Sequence, residues 1–283
     1  MDNASSTNYG ILYIVATPIG NLDDISQRAI NTLSIVDAIL AEDTRHSLPL
    51  LTALGINKPL WSFHEHNENE KSKIILSALK KGQSFALISD AGTPLISDPG
   101  FLLVKLARQA GIQVTPIPGP CALITALCAA GIPCDNFLFI GFLPAKQKAR
   151  LTELTSLSQR EYTVVLYEST HRILDCINTI IDVYGNEYEF VLAKELTKTF
   201  EHFIHANGNT IKAWLLENAA HVKGEFVLIL PARIIIKADT EDRKLLTILL
   251  NELPLKLAVK IASSLSSTAK NDLYKLALEL QNK

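Results

Sequence analysis

The chain has 283 residues, 48% of them apolar and 20% charged, with a formal net charge of −2. That is the make-up of a globular protein with room for two or three domains. It excludes a histone-like binder with a global basic field, and no uninterrupted apolar run is long enough to span a bilayer.

Residues 1–8 are polar and acidic, unlike a signal peptide, and read as a disordered tail. Residues 9–16 form a β-rich run that ends at Thr17-Pro-Ile-Gly-Asn21. Ile25, Ala29, Ile30, Leu33 and Val36 then recur at helical spacing, with Asp23 or Asp24 as the cap. Residues 36–41 return as strand and end in Glu42-Asp-Thr-Arg45. Residues 59–63 are a short strand that ends in His64-Glu-His-Asn67. Residues 71–81 are an amphipathic helix closed by Gly82. Residues 85–88 read as a buried strand, broken by Asp90, Gly92 and Pro94. Asp98 suits a helix cap and Pro99 a first helical residue, ahead of a helix over 101–110. Residues 113–117 are strand and run into Pro118-Gly-Pro120. Strands alternating with helices over this span predict a largely parallel sheet.

Pro116, Pro118 and Pro120 mark a change of domain. A small-residue helix over 121–130 follows, then a strand over 137–142 and a helix over 145–157. A strong strand over 161–167 precedes Ser169, which suits the cap of a helix over 171–184. Strands over 189–193 and 226–230 flank a helix over 210–217. Residues 237–242 are linker-like, and helices around 243–250, 255–265 and 268–280 follow. Residues 251–283 hold five lysines against three acids. That mild basic bias suits an RNA contact, a subunit contact or simply a solvated face. The expected organisation is a tail over 1–8, α/β domains over 9–118 and 119–236, and a helical domain over 237–283.

The chain contains no GxGxxG and no GxxxxGK[ST], so it carries neither a standard dinucleotide fingerprint nor a P-loop. Sharp loops nevertheless stand at strand ends: Thr17–Asn21, Asp90–Pro94, Pro118–Cys121 and Tyr167–Arg172. The stretch around Asp90-Ala-Gly-Thr-Pro94 is the richest of them. Small and constrained residues at such points let backbone groups approach a ligand closely. Cys121, Cys128, Cys134 and Cys176 include no CxxC pair, so they read as buried free thiols in a reducing cytosol.

Leu12-Tyr-Ile-Val-Ala-Thr-Pro-Ile-Gly-Asn-Leu22, Ala41-Glu-Asp-Thr-Arg45, His64-Glu-His-Asn67, residues 86–100 and Pro116-Ile-Pro-Gly-Pro-Cys-Ala-Leu-Ile124 share one resemblance. Gly141-Phe-Leu-Pro-Ala-Lys146, Tyr167-Glu-Ser-Thr-His-Arg172, Glu195-Leu-Thr-Lys-Thr-Phe-Glu201, Lys223-Gly-Glu225, Glu252-Leu-Pro-Leu-Lys256 and Leu273-Tyr-Lys-Leu-Ala-Leu278 share it too. In order, and over nearly the whole chain, they resemble the ribosomal RNA small subunit methyltransferase I family. The resemblance implies an α/β protein with two α/β domains of tetrapyrrole-methylase type and a small C-terminal helical domain. S-adenosylmethionine would bind in the interdomain cleft. It implies 2′-O-methylation of a decoding-region cytidine in bacterial 16S rRNA, one that another enzyme also methylates at N4. It further implies a cytoplasmic homodimer working on the small ribosomal subunit, without a membrane.

Carried over by position, the resemblance implies donor contacts from Pro18, Asp90, Ala91, Gly92, Thr93 and Pro94. Cys121, Ala122, Tyr167, Leu192 and Ala193 would complete that site. One departure is Ile140, which stands where the family pattern leads one to expect an acid.

A ribose hydroxyl is a weak nucleophile, so alignment with the methyl carbon and sulfur matters, and a nearby base would add to it. Candidates for that base are Glu42, Asp43, His64, Glu65, His66 and Glu195. Arg45, Arg172, Lys194 and Lys198 could hold phosphates, and Lys146, Lys148 and Arg150 could form a phosphate track. The target nucleotide would leave its stack to reach a cleft. Plainer roles stand beside these. Glu42, Asp43 and Arg45 equally suit an ion pair or a cap, Glu195 and Lys198 a surface pair, and Tyr167 a core position. His64 and His66 have no implied third metal ligand, so no metal is expected. The rival functions are a corrin or tetrapyrrole methylase, a non-catalytic RNA-binding assembly factor, and a metal-dependent hydrolase built on His64, Glu65 and His66.

Overall fold

The computed structural model describes residues 8–158, 160–232, 237–266, 268 and 270–281. The expected tail at 1–8 lies, save its last residue, outside the described residues.

The first half alternates strand and helix: β1 (Leu12–Val15), α1 (Gln27–Ile35), β2 (Ala38–Ala41), α2 (Thr44–Ala53), β3 (Leu60–Ser62), α3 (Glu68–Lys80), β4 (Phe85–Ile88), α4 (Phe101–Gln109) and β5 (Val114–Ile117). The strands form a five-stranded sheet in the order β3-β2-β4-β1-β5. Every pairing in it is parallel. β2 and β4 are buried at every residue, as central parallel strands covered on both faces must be. Phe63, Ile75, Leu79, Phe85 and Leu103 pack on one side of the sheet. Val15, Leu33, Ile39, Leu51 and Ile88 pack on the other.

The second half runs α5 (Ala122–Ala129), β6 (Phe137–Phe142), α6 (Gln147–Leu157), β7 (Thr163–Ser169), α7 (Ile173–Tyr184), β8 (Glu189–Lys194), β9 (His202–Asn207), α8 (Gly208–Glu217) and β10 (Glu225–Leu230). Its sheet order is β6-β7-β10-β8-β9. β6 and β7 are parallel, and the remaining pairs are antiparallel. α5 packs Leu123, Ala126 and Leu127 against Val165, Val191 and Val227 of this sheet, and Ile19 from the loop after β1 joins the cluster. The register between β6 and β7 shifts between Phe139 and Gly141. Ile140, the departure from the family pattern, is therefore the extra residue of a β-bulge.

α9 (Lys237–Glu252), α10 (Leu255–Leu265) and α11 (Lys270–Gln281) enclose a separate core of Leu246, Val259, Ala262, Leu273 and Ala277. Residues 155–162 and 232–283 form one compact unit, and residues 1–154 with 163–231 form the other.

Several expectations need correction. α2 and β9 were not anticipated. α2 contains Pro49, a residue that argues against a helix interior, and β9 is an edge strand that buries none of its residues fully. Ser26, not Asp23 or Asp24, caps α1, its Oγ accepting from Ala29 N at 3.1 Å. Residues 237–242 are the first turns of α9 rather than linker. That stretch lacks an apolar stripe of its own, and the helix packs through Leu245, Leu246 and Leu249 further on. Asp98 does not cap α4. Oε1 of Glu68 accepts from Gly100 N at 3.1 Å and from Leu102 N at 2.9 Å, filling that role from 32 residues away.

Candidate functional site

Three loops at the ends of first-sheet strands are tied together by short-range polar contacts. Thr17, just past β1, exchanges two backbone hydrogen bonds with Gly92, at 2.9 and 3.0 Å. Its hydroxyl donates to Ser89 O at 3.1 Å, and the Ser89 hydroxyl donates to Gly92 O at 3.0 Å. The Thr93 hydroxyl donates to Pro120 O at 2.9 Å, which fixes the Pro-Gly-Pro turn after β5 to the loop after β4. Gly92 has φ +83°, and a Cβ there would sit 3.2 Å from Ile19 Cγ2. A side chain at this point would be strained and would crowd the wall of the site.

These loops bound a cavity of about 450 Å³. Ile19, Asp90–Thr93, Cys121 and Ala122 line it from one side. Phe142, Tyr167–His171, Leu196 and Gly224–Val227 line it from the other. The Tyr167 hydroxyl accepts from Leu123 N at 3.0 Å, so it satisfies one of the free N–H groups in the first turn of α5. The ring meets Phe139 and Phe142 edge-on, at centroid distances of 4.8 and 5.9 Å. Burial, helped by Cys121, pushes the phenol above its ordinary acidity range, so the hydroxyl stays protonated.

Two acids, Asp90 and Asp98, line the cavity, and Glu42 and Asp43 stand close to them. Asp90 Oδ1 accepts from Asp43 N at 3.1 Å. Asp98 lines the cavity. Its carboxyl is pushed up to about 7, first by burial and then by the neighbouring Glu42 charge, with a smaller push from Asp90 and an opposing hydrogen bond from Ser89. Glu42 is also raised, by burial and then by Asp90. Sequence reasoning took Asp98 for a helix cap and so missed it. No local signal could have found it, because the cap of α4 comes from Glu68, 32 residues earlier in the chain.

Of the expected donor contacts, Asp90, Ala91, Gly92, Thr93, Cys121, Ala122 and Tyr167 line this one cavity. Pro18 and Pro94 flank its loops, Pro94 being buried. Leu192 and Ala193 do not reach it. Both are fully buried in β8, and Leu196 and Gly224–Val227 form the wall there instead.

The expected catalytic and RNA-contacting residues are more scattered. Asp43 caps α2 through Arg45 N at 2.8 Å and pairs with the exposed Arg45 guanidinium at 2.7 Å. Those bonds hold its carboxyl well below the usual carboxylate range. Glu195, at φ +50°, accepts from Lys198 Nζ at 2.9 Å and from Glu225 N at 3.0 Å. Its carboxyl is held low by those bonds against the opposing effect of burial. Lys198 also pairs with Glu225 at 3.0 Å and packs its stem over Gly20, so it is engaged within the fold. Lys194 is buried.

Arg150 is corrected as a phosphate contact. It is 3% exposed and donates from Nε to Thr179 Oγ1 at 3.0 Å. Positions two apart on a helix lie on opposite faces, so Arg150 could not share the outward face of Lys148. Arg172 is likewise turned inward. It pairs with the buried Glu168 at 3.2 Å and donates to Leu143 O. Lys146 and Lys148 remain exposed.

The rings of His64 and His66 lie 6.0 Å apart, and His64 Nε2 faces Asn67 Nδ2 at 3.2 Å. Among the described residues, no group of three or more His, Cys, Asp or Glu side chains is placed to hold a metal ion. No described helix is long and apolar enough to cross a membrane.

A parallel α/β sheet followed by a mixed sheet, with a cavity between strand-end loops of the two, defines the class. It is the architecture of uroporphyrin-III-C-methyltransferase from Thermus thermophilus. That structure superposes with a TM-score of 0.56 at 16% identity, over 78% of this chain and 94% of that one, and at that identity it shows the fold alone. The family described as Tetrapyrrole (Corrin/Porphyrin) Methylases matches residues 11–212, and the RsmI C-terminal HTH domain matches residues 237–281. The chain belongs to the tetrapyrrole methylases and, within them, to the ribosomal RNA small subunit methyltransferase I family. It is 53% identical to the protein of that name from Haemophilus influenzae, over 95% of this chain and 96% of the relative. The relative of that name from Escherichia coli O157:H7 is 49% identical, over 98% of each chain.

Proposed function

We propose that this chain transfers a methyl group from S-adenosylmethionine to the ribose 2′-hydroxyl of a decoding-region cytidine in bacterial 16S rRNA. The observation that carries the reading is near-full-length similarity to proteins named ribosomal RNA small subunit methyltransferase I, including a match to their C-terminal domain. We infer that the chain acts on the small ribosomal subunit in the cytoplasm as a homodimer, without a membrane.

The residues around the cavity fit the donor. Its walls combine apolar side chains, Ile19, Leu196, Phe226 and Val227, with backbone that Gly92 leaves uncovered. An adenosyl group needs that mixture of flat apolar surface and close backbone polar groups. When bound, the donor supplies a methyl group already activated on a sulfonium. The chain's own part is positioning. Thr17 and Ser89 hold Gly92, Thr93 holds the Pro118–Pro120 turn, and Tyr167 holds the start of α5. Because displacement needs oxygen, carbon and sulfur in line, such rigidity contributes directly to rate. Lys146 and Lys148, exposed near the cavity's Phe142, suit the RNA phosphates.

The test is nucleoside analysis of small-subunit rRNA from cells with and without the protein, paired with transfer of labelled methyl to purified subunits. Loss of N4,2′-O-dimethylcytidine in the deletion, with N4-methylcytidine in its place, reversed by the pure protein, is the expected result. An unchanged nucleoside profile would remove the reading.

A further inference from the structure

The loop between β8 and β9, residues 195–201, is strained and closely braced. Glu195 and Thr197 have φ of +50° and +65°, a region that residues with a Cβ rarely adopt. Such conformations persist where the surrounding structure enforces them, as at functional sites. Here the enforcement comes from several sides. Lys198 Nζ donates to Glu195 Oε1 at 2.9 Å and to Glu225 Oε2 at 3.0 Å. Glu201 Oε2 accepts from Thr197 N at 2.7 Å. The Lys198 stem lies over Gly20, where a Cβ would collide with it. Leu196 lines the cavity, yet Phe200, four residues on, is 68% exposed.

Behind Phe200 stands a set of packed rings. His202 Nδ1 lies 3.0 Å from Phe200 O, and because a carbonyl can only accept, that nitrogen carries the proton and donates. The His202 ring lies 5.4 Å from Trp214 of α8, and Trp214 stacks on His221 at 3.9 Å with planes 6° apart. His221 Nδ1 in turn donates to Trp214 O at 2.7 Å. The rings therefore fix the backbone that carries Phe200 and leave its side chain open.

The strand register ties this corner to the cavity. His202 pairs with Lys194, Lys194 with Phe226, and Phe226 with Glu168. Phe226 and Glu168 line the cavity. At the usual spacing of neighbouring strands, His202 is about 10 Å from Phe226. An RNA strand that delivers one nucleotide to the cavity has to lay an adjoining one over ground this close. Lys223, exposed and next to the cavity-lining Gly224, supplies a cation for a phosphate there.

We propose that Phe200 is a stacking site for an unpaired base of the rRNA, one adjoining the nucleotide that enters the cavity. The proposal rests on the reading of the chain as an rRNA methyltransferase. A flat π surface held on a rigid loop loses little freedom on binding, and every base offers it a face. Phe200 thus adds affinity and orients the strand without reading sequence. The ring adjoins the cavity that the RNA has to enter and has a phosphate partner beside it, so its occupant is the strand rather than a second copy of the chain.

Affinity for purified small subunits, measured across a salt series, tests this in the parent, Phe200→Leu and Phe200→Tyr. Calorimetry with S-adenosylhomocysteine, sedimentation and thermal melting accompany it. Phe200→Leu keeps apolar bulk but has no π face, and should weaken subunit binding by about tenfold. The slope of log affinity against log salt should stay the parent's, since no phosphate contact is lost. Phe200→Tyr should bind subunits as the parent does, and both variants should keep the parent's affinity for S-adenosylhomocysteine. Parent-like subunit binding by Phe200→Leu would overturn the proposal. So would a flattened salt slope, which would place the loss in phosphate contacts. A change in sedimentation at equal protein concentration would overturn it too, by making Phe200 a contact between copies of the chain. Should Phe200→Leu not melt cooperatively, Phe200→Trp decides. Its added emission should be quenched on titration with small subunits, beyond any quenching in the parent, and unquenched emission rejects the role. Methyl transfer by the parent to purified small subunits judges the wider reading separately. No transfer would remove that reading, and the comparison of affinities would still decide whether Phe200 stacks on RNA.

Discussion

Gly92 is under two constraints that act together. Its φ of +83° is costly for any residue with a Cβ, and the missing Cβ leaves room for Ile19 at 3.2 Å. Gly92→Val should therefore bend the loop, press on Ile19 and lower donor affinity by about tenfold or more, with strain of order 1–3 kcal/mol. Calorimetry with S-adenosylmethionine measures the first effect and chemical denaturation the second; parent-like values of both would sink the cradle assignment. Asp98 offers a pH-dependent counterpart. Its carboxyl is raised from an ordinary value near 4 to about 7, so the ionised form is disfavoured in the fold. Stability from this group is full below about pH 4, falls as pH rises, and is lost above about 7. Asp98→Asn should melt a few degrees above the parent at pH 8, and the gap should close toward pH 4. A gap that widens toward acid would contradict the sign.

Arg172 shows how elements decide what a charged residue does. It precedes α7, pairs with Glu168 on β7 and reaches Leu143 after β6, so one side chain holds three elements together. The Glu168 side chain is fully buried, and removing its partner leaves an uncompensated charge. Arg172→Ala should cost about 3 kcal/mol in denaturant unfolding, well beyond the change expected from a surface phosphate contact. A variant of parent stability with only weakened RNA binding would return Arg172 to the RNA. The same logic explains what could be read in advance. Strands buried on both faces, such as β2, β4 and β10, announce themselves as short apolar runs. The loop around Gly92 announces itself through Gly, Pro and Asp at a strand end. The duties of Glu68, Arg150, Glu168 and Arg172 were not legible. Whether a charge faces solvent or a partner depends on residues as far as 34 positions away, as between Glu68 and Leu102. Edge strand β9 was missed because it buries too little to show a period, and α2 because Pro49 interrupts it.

A formal charge of −2 leaves the whole molecule with no general attraction for RNA, so any RNA affinity has to be local. The C-terminal helices have a core of their own, and the cavity is formed entirely outside them. Lys256 and Lys260 are exposed and four residues apart on α10, so they share one face. Lys275 is exposed too and is engaged with Asp272 at 3.8 Å. Donor binding and RNA binding should therefore separate on truncation. A chain ending before α9 should keep donor affinity within about threefold, since none of the cavity wall is lost. Its affinity for small subunits should fall by about tenfold, and with it the rate at limiting substrate. Each phosphate contact contributes a slope of about 0.9 to the fall of log affinity with log salt. Lys256→Ala with Lys260→Ala, in the full chain, should thus flatten that slope by up to about 2 while leaving donor calorimetry unchanged. A truncated chain that binds subunits with the parent's affinity and salt slope would assign the C-terminal helices to some other contact and leave RNA capture to the α/β part alone.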